Sequence, residues 1–457
     1  MNLNDGLITT DCSPIGPLSS ELDEWVREVA CKARPAEMVI GFAPNNQRDY
    51  ESVLRFDVQS ACWWTGRYVG EISYKGRTLQ ILPRFGMPAL HRWLSRVYGI
   101  QLVESHGEYT AERIWLWELI AHLWSARLVL AAKHGLPHRR VDEIHSGPSV
   151  RGRLLIKESI RDLSIRSGIL TSQTRERKID SVISGIILLA HEQLQRMLGA
   201  SSARLWLTER GATIVDALRS DGVQAAYATN KPIRYTPITE SFRPLIELSL
   251  SILRQRPLSS SVSGDKEVSG VLLDMAEIWE LYLLNVIRSG LPSLEVVYTA
   301  RDAKEPRYML RGSQNGLLQQ IRPDVLLREP FGGRILGIID AKYKNTRPSS
   351  DKPWGVDRED LYQMSAYLSA IGQTGYPMSA FLVYPVGSEW FGPDAGENPW
   401  YLPASPQKNL SFLGVAVDTT SDENAFAVAE QQLADSISNL IGQDQQRTAG
   451  KDISRQE

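Results

Sequence analysis

Cysteine is scarce: Cys12, Cys31 and Cys62 stand far apart in 457 residues, and no two form a CxxC pair. That spacing argues against a zinc ribbon, an iron–sulfur cluster and a disulfide framework, so redox chemistry is not expected. No uninterrupted apolar stretch approaches the roughly 18 residues that a membrane helix needs. Residues 1–30 lack the basic start and apolar centre of a secretory signal, which points to the cytoplasm. Net charge is nearly absent too. With 51 basic and 53 acidic residues the chain carries −2, so affinity for DNA has to arise from local clustering rather than from a global field. Two motifs are also missing. There is no GxxxxGK[ST] phosphate loop, which leaves NTP hydrolysis by this chain unsupported, and no serine sits in a GxSxG elbow, which leaves a hydrolase triad unsupported.

What is present is a globular composition, 42% hydrophobic and 23% charged, in a chain long enough for roughly three domains of about 150 residues. Residues 1–106 read as a β-rich module, because positions 55–85 alternate apolar and polar residues and break at Gly66, Gly70 and Gly76. From Ile114 the apolar period changes to three and four, and the stretch stops at Gly135 and Pro137. With further helices expected at about 180–198 and 239–255, residues 107–265 read as a mostly helical middle domain. Arg256 to Val268, RPLSSSVSGDKEV, reads as a linker. The third part, 266–442, is expected to open with a helix, VLLDMAEIWELYLLNVIRSG. Strand-like pieces follow at 294–298, 321–327 and 334–344, then a helix at 358–371, strands at 379–385 and 413–418, and a helix at 423–441. This order predicts a mixed sheet flanked by helices, giving a multi-domain α/β (α+β) chain. Residues 443–457 are polar and are expected to be a disordered tail.

The chemistry concentrates in the third part. Arg322-Pro323-Asp324 is followed, across a turn at 329–333, by Asp340-Ala341-Lys342. Side chains two apart on a strand share a face, so Asp340 and Lys342 point one way and Ile339, Ala341 and Tyr343 the other. Asp324 begins the neighbouring strand. Two carboxylates and an ammonium would thereby meet on one sheet, and burying them without partners would cost several kcal/mol. A divalent cation, Mg2+ or Mn2+, removes that cost: Asp324 and Asp340 are its expected ligands, with Lys342 positioning or deprotonating a water and offsetting charge at phosphorus. On the preceding helix Asp274, Glu277 and Glu280 form an acidic stripe, from which Glu280 could reach the metal as an outer ligand; on the following one Gln363 and Tyr367 share a face, suited to substrate or metal shell. Between Arg301 and Lys352, eleven basic residues stand against six acids, which reads either as a DNA-facing patch or as a solvated face. His134, His138 and His145 are separated by helix breakers and read as an exposed loop, while Trp63 and Trp64 read as core or interface aromatics.

PD followed by DAK, an acid on the preceding helix and Q-x-x-x-Y on the next resemble the PD-(D/E)xK nuclease superfamily. The phrases LLDMAEIWE, RPDVLL, IIDAKYK, DLYQMSAY and LVYP, with VGEISYKGRTLQILPRFG near the start, resemble the McrC family, the nuclease subunits of McrBC-type modification-dependent restriction systems. The resemblance implies a C-terminal restriction-endonuclease-like domain that cuts double-stranded DNA. It also implies an N-terminal module that docks on, and stimulates, an McrB-like hexameric AAA-type GTPase. Candidates for that contact are Arg67, Lys75 and Arg84, taken as exposed cations. The rival reading is a non-catalytic adaptor that activates the motor and clamps DNA; a repair nuclease without a motor is a more remote alternative.

Overall fold

The computed structural model describes residues 6–40, 50–98, 114–165, 168–202, 206–220, 233–254, 268–299, 307–313, 315–344, 346, 348, 352, 355–371, 376–387, 397–417 and 423–453. The first segment holds Leu7–Thr10 (β1), Ser20–Lys32 (α1), Pro35–Met38 (α2), Val39–Ile40 (β2), Leu54–Asp57 (β3), Cys62–Thr65 (β4), Tyr68–Tyr74 (β5), Arg77–Leu82 (β6) and Gly86–Tyr98 (α3). The alternation read between 55 and 85 becomes two antiparallel hairpins, β3 with β4 and β5 with β6. The second turns at Lys75-Gly76, both with positive φ (48° and 74°), the geometry whose twist matches that of the flanking strands.

The middle segment forms a compact unit of its own, residues 106–257. It comprises Ile114–Ala131 (α4), His138–Gly147 (β7), Arg153–Leu154 (β8), Ile156–Ile165 (α5), Leu170–Ile179 (β9), Ser181–Ser202 (α6), Glu209–Ser220 (α7) and Arg243–Arg254 (α8). The buried Trp124 indole donates to Ser249 Oγ at 2.9 Å, tying α4 to α8. The unit is not only helical, because β7, β9 and β8 make a three-stranded antiparallel sheet. The supposed histidine loop is therefore corrected. Gly135 and Pro137 do end the helix, but His138 then starts a ten-residue strand and His145 lies on it.

The last segment contains Ser269–Asp274 (β10), Met275–Gly290 (α9), Glu295–Tyr298 (β11), Arg307–Arg311 (β12), Leu317–Ile321 (β13), Val325–Arg328 (β14), Ile335–Ala341 (β15), Arg358–Ile371 (α10), Met378–Val386 (β16), Trp400–Leu402 (β17), Ser405–Ala416 (β18) and Glu423–Ile453 (α11). Six of these strands make a mixed sheet in the order β11-β14-β15-β16-β18-β17, with β15, β16 and β18 parallel. Met378, Ala380, Leu382 and Tyr384 of the fully buried β16 pack with Met364, Leu368 and Ile371 of α10. Helices α9 and α11 lie against the sheet's other side, where Ser379 Oγ donates to Asp444 of α11 at 2.5 Å.

Three expectations are corrected here. VLLD does not begin a helix: β10 is inserted between β5 and β2, so the first sheet reads β1-β6-β5-β10-β2. The close approach demands glycine, since a Cβ on Gly70 (φ 146°) would lie 2.1 Å from the Val271 carbonyl oxygen. Nor are the first and third segments separate domains; residues 1–105 and 258–457 form one compact unit. Buried Glu430 of α11 strengthens that unit, accepting two 2.9 Å bonds from Arg92 of α3 and one of 3.1 Å from the Tyr282 hydroxyl of α9. Finally, the polar stretch after 442 is not a disordered tail up to Ile453. It continues α11, because Asp444 is buried and accepts hydrogen bonds from Ser379 and Asn409. The expected linker at 256–268 and residues 454–457 lie outside the described residues, except Val268.

Candidate functional site

The run ILGIIDA forms β15, a central strand buried from Leu336 to Asp340. Antiparallel pairing of Val325 with Ile339 places Asp324 across from Asp340. Asp324 Oδ2 accepts the Ala341 amide at 2.7 Å. Asp340 is 2% exposed, and its Oδ2 lies 2.6 Å from Lys342 Nζ. Tyr343 packs on the opposite side, its ring 6.1 Å from that of Trp93, as the two-residue period requires.

Helix α9 brings in the third acid. Asp274, read as part of a helical stripe, is instead its N-cap, accepting from the amides of Ala276 (3.0 Å) and Glu277 (3.4 Å). Six residues on, Glu280 bonds the Tyr298 hydroxyl and comes within electrostatic reach of Asp324 and Asp340. Burial, reinforced by Glu277 and Asp340, pushes the Glu280 pKa up to about 7. Burial, with Glu280 and Asp340 adding to it, raises Asp324 well above the ordinary carboxylate range. Asp340 is raised by burial as well, against the pull of Lys342. Burial alone would lower the Lys342 pKa, but Asp340 and Asp360 overcome it and raise the value, so the amine is a fixed cation.

Helix α10 completes the group. Lys342 Nζ donates to Gln363 Oε1 at 2.8 Å, Gln363 Nε2 to the Tyr367 hydroxyl at 2.7 Å, and that hydroxyl to the Arg322 carbonyl at 3.2 Å. All six expected residues, Asp324, Asp340, Lys342, Glu280, Gln363 and Tyr367, are thus brought together. Sequence reasoning missed Asp360, which is 2% exposed and whose Oδ1 accepts from Lys344 at 2.8 Å and lies 3.4 Å from Lys342 Nζ. Its spacing of three and seven from Gln363 and Tyr367 was a usable signal. Tyr298 carried no such mark. The basic run is partly an internal ion network: Lys344 and Lys352 pair with Asp357 at 2.8 and 2.6 Å. Arg301, Lys304 and Arg347 lie outside the described residues.

The three cations expected at a partner surface separate into two kinds. Lys75, at the hairpin turn, is exposed and pairs with Glu28 at 2.7 Å. Arg67 and Arg84, at the hairpin's open end, are not exposed cations. Arg67 Nε lies 3.0 Å from Asp274 Oδ1 and its Nη1 lies 2.8 Å from Glu51. The Arg84 guanidinium stacks 4.4 Å from the Tyr343 ring centre, and its amide donates to buried Asp11 at 2.6 Å. Trp63 is a core residue, bonding Asp23 at 2.9 Å.

Asp340 raises the pKa of both Glu280 and Asp324, and Glu280 adds to the rise of Asp324; an oxygen-only donor set of this kind suits a hard divalent cation. The oxygens of Glu280, Asp324 and Asp340 do not all lie within 4.8 Å of one another; among the described residues Glu143, His145 and Glu176 alone reach that closeness. Lys178 already pairs with that second group, 2.6 Å from Glu143 and 4.0 Å from Glu176. Mg2+ commonly keeps several waters and takes only one or two carboxylates directly, so Asp324 and Asp340 would be donors enough without a third close oxygen.

A buried acid–lysine cluster stands at the end of a central strand of a mixed sheet. Residues 64–385 match the family model described as "McrBC 5-methylcytosine restriction system component". That span exceeds half of the chain, and the chain belongs to this family; the resemblance to the McrC family is borne out. Among curated proteins none matches. In Thermococcus gammatolerans, a chain of the refined half-complex from the tetradecameric assembly of McrB AAA+ hexamers with bound McrC is similar over 95% of this chain and 99% of its own, with 16% identity and a TM-score of 0.50. A second structure, the McrBC complex of the same organism, aligns over 63% of this chain and 88% of its own at 17% identity and a TM-score of 0.37. The first of these shows a shared fold. No helix among the described residues is long and apolar enough to cross a membrane.

Proposed function

We propose that this chain is the metal-dependent DNA endonuclease subunit of an McrBC-like restriction system, acting in the cytoplasm, with the six-stranded sheet and its helices as a PD-(D/E)xK domain. The observation that carries the reading is the convergence of Glu280, Asp324 and Asp340 beside Lys342. Asp324 and Asp340 would hold Mg2+ or Mn2+, with Glu280 as an outer ligand. When bound, the ion supplies an acidified water and neutralises charge at phosphorus. Lys342 is held as an ammonium by Asp340 and Asp360, which favours its orienting water or phosphate and offsetting negative charge over its acting as a base. Gln363 fixes the Lys342 amine, and Tyr367 fixes Gln363.

The chain docks on an McrB-like hexameric AAA-type GTPase and stimulates it. Support comes from the family, from the missing phosphate loop, and from the relative solved with McrB AAA+ hexamers. In a complex reconstituted with such a motor, Asp340→Ala and Lys342→Ala should each slow DNA cleavage at least about a hundredfold, while co-elution with the hexamer and stimulation of its NTPase persist. Wild-type cleavage by both variants would refute the site and favour a non-catalytic adaptor.

A further inference from the structure

The hairpin β5–β6 has a turn end carrying Lys75 and an open end carrying Arg67 and Arg84, separated by the length of a seven-residue strand, about 20 Å at the usual rise. The open end faces into the molecule. Arg67 holds the start of α9 in two ways, and its neighbour adds a third: its guanidinium pairs with the capping carboxylate of Asp274, its carbonyl accepts the Met275 amide at 3.1 Å, and Tyr68 pairs in register with Asp274. The same guanidinium is braced on its far side by Glu51. A helix anchored so firmly at its N-cap and first residue has a fixed rotation about its axis, and Glu280, about one and a half turns on, inherits that fixed direction toward Asp324 and Asp340.

We infer that Arg67 is a positioning residue for the acid cluster: through Asp274 and the first turn of α9 it sets where Glu280 stands relative to Asp324 and Asp340. This rests on the nuclease reading above. It assigns Arg67 to the cation site rather than to a partner surface, and it makes the N-terminal module a structural part of that site.

Two effects of removing Arg67 have opposite signs, which makes the test sharp. Loss of a nearby positive charge would by itself tighten cation binding, whereas loss of positioning weakens it. Titration calorimetry of the full chain with Mn2+ reads the cluster without turnover. Arg67→Gln should weaken Mn2+ binding about tenfold to a hundredfold, the usual cost of losing a group that orients a metal ligand. Arg67→Lys, which keeps the charge and loses the planar fork, should weaken it less, with circular dichroism unchanged. Equal or tighter binding in both variants overturns the inference. If the wild-type chain binds no Mn2+, or binds it undiminished by Asp340→Ala, the nuclease reading fails and the inference falls with it.

Discussion

Two clusters of acids with a basic partner stand in this molecule, and they behave differently. On the middle sheet, Glu143 and Glu176 approach His145 and Lys178 at the surface; the Glu143 pKa is lowered, chiefly by its bond to Lys178. At the six-stranded sheet, Asp324 and Asp340 are joined by Glu280 of α9, with Lys342 beside Asp340 and Lys344 acting on it more weakly, and burial raises all three. Spacing does not explain the difference, because the surface cluster has the tighter oxygens. Burial with too little positive charge does. An exposed pair is screened by water and has little to gain from a cation, and on the reading proposed above the buried acids have more.

The largest expected contrast is therefore in metal-dependent stability. At pH 8, Mg2+ or Mn2+ at about a hundred times its dissociation constant should stabilise the wild-type chain by about 2.7 kcal/mol, seen as a rise in thermal midpoint. Asp340→Asn should abolish that rise, whereas Glu176→Gln should retain it. A rise that survives Asp340→Asn and vanishes in Glu176→Gln would reverse the comparison.

A smaller effect concerns pH. Because the folded-state pKa of Glu280 is raised from 4.5 to about 7, its favourable contribution is complete below about 4.5 and is lost as pH rises through 7. With chelator present, the wild-type midpoint should fall between pH 5 and pH 8. Glu280→Gln should flatten that fall by on the order of 2 kcal/mol at the upper end. Parallel profiles for the two proteins would show that the cluster is not strained. The smallest effect belongs to Lys178→Ala, which should leave the midpoint unchanged within error; a drop of several degrees would mean that the surface cluster contributes more than an exposed pair does.

Most of the candidate site was legible because its residues lie on short, regular elements. Asp340 and Lys342 obey the two-residue period, and Gln363 and Tyr367 the helical one. Asp360 obeyed the same helical spacing and was overlooked for want of a chemical motif. The strand β10 was misread because VLLD is apolar enough for either element and runs directly into α9; only pairing with β5 selects the extended form. The stretch after 442 looked like tail because its composition is polar, and a single buried aspartate there, Asp444, is invisible without the two donors that meet it.

What the sequence determined on its own was therefore local: periods, turns such as Lys75-Gly76, and the kinds of side chain gathered near position 340. Tertiary structure decided which cations are spoken for and which parts belong together. Whether Arg67 and Arg84 face outward depends on Asp274 and Tyr343, which lie more than two hundred residues away in the chain. Charge pairing and burial act through space, and no local pattern encodes a partner at that separation.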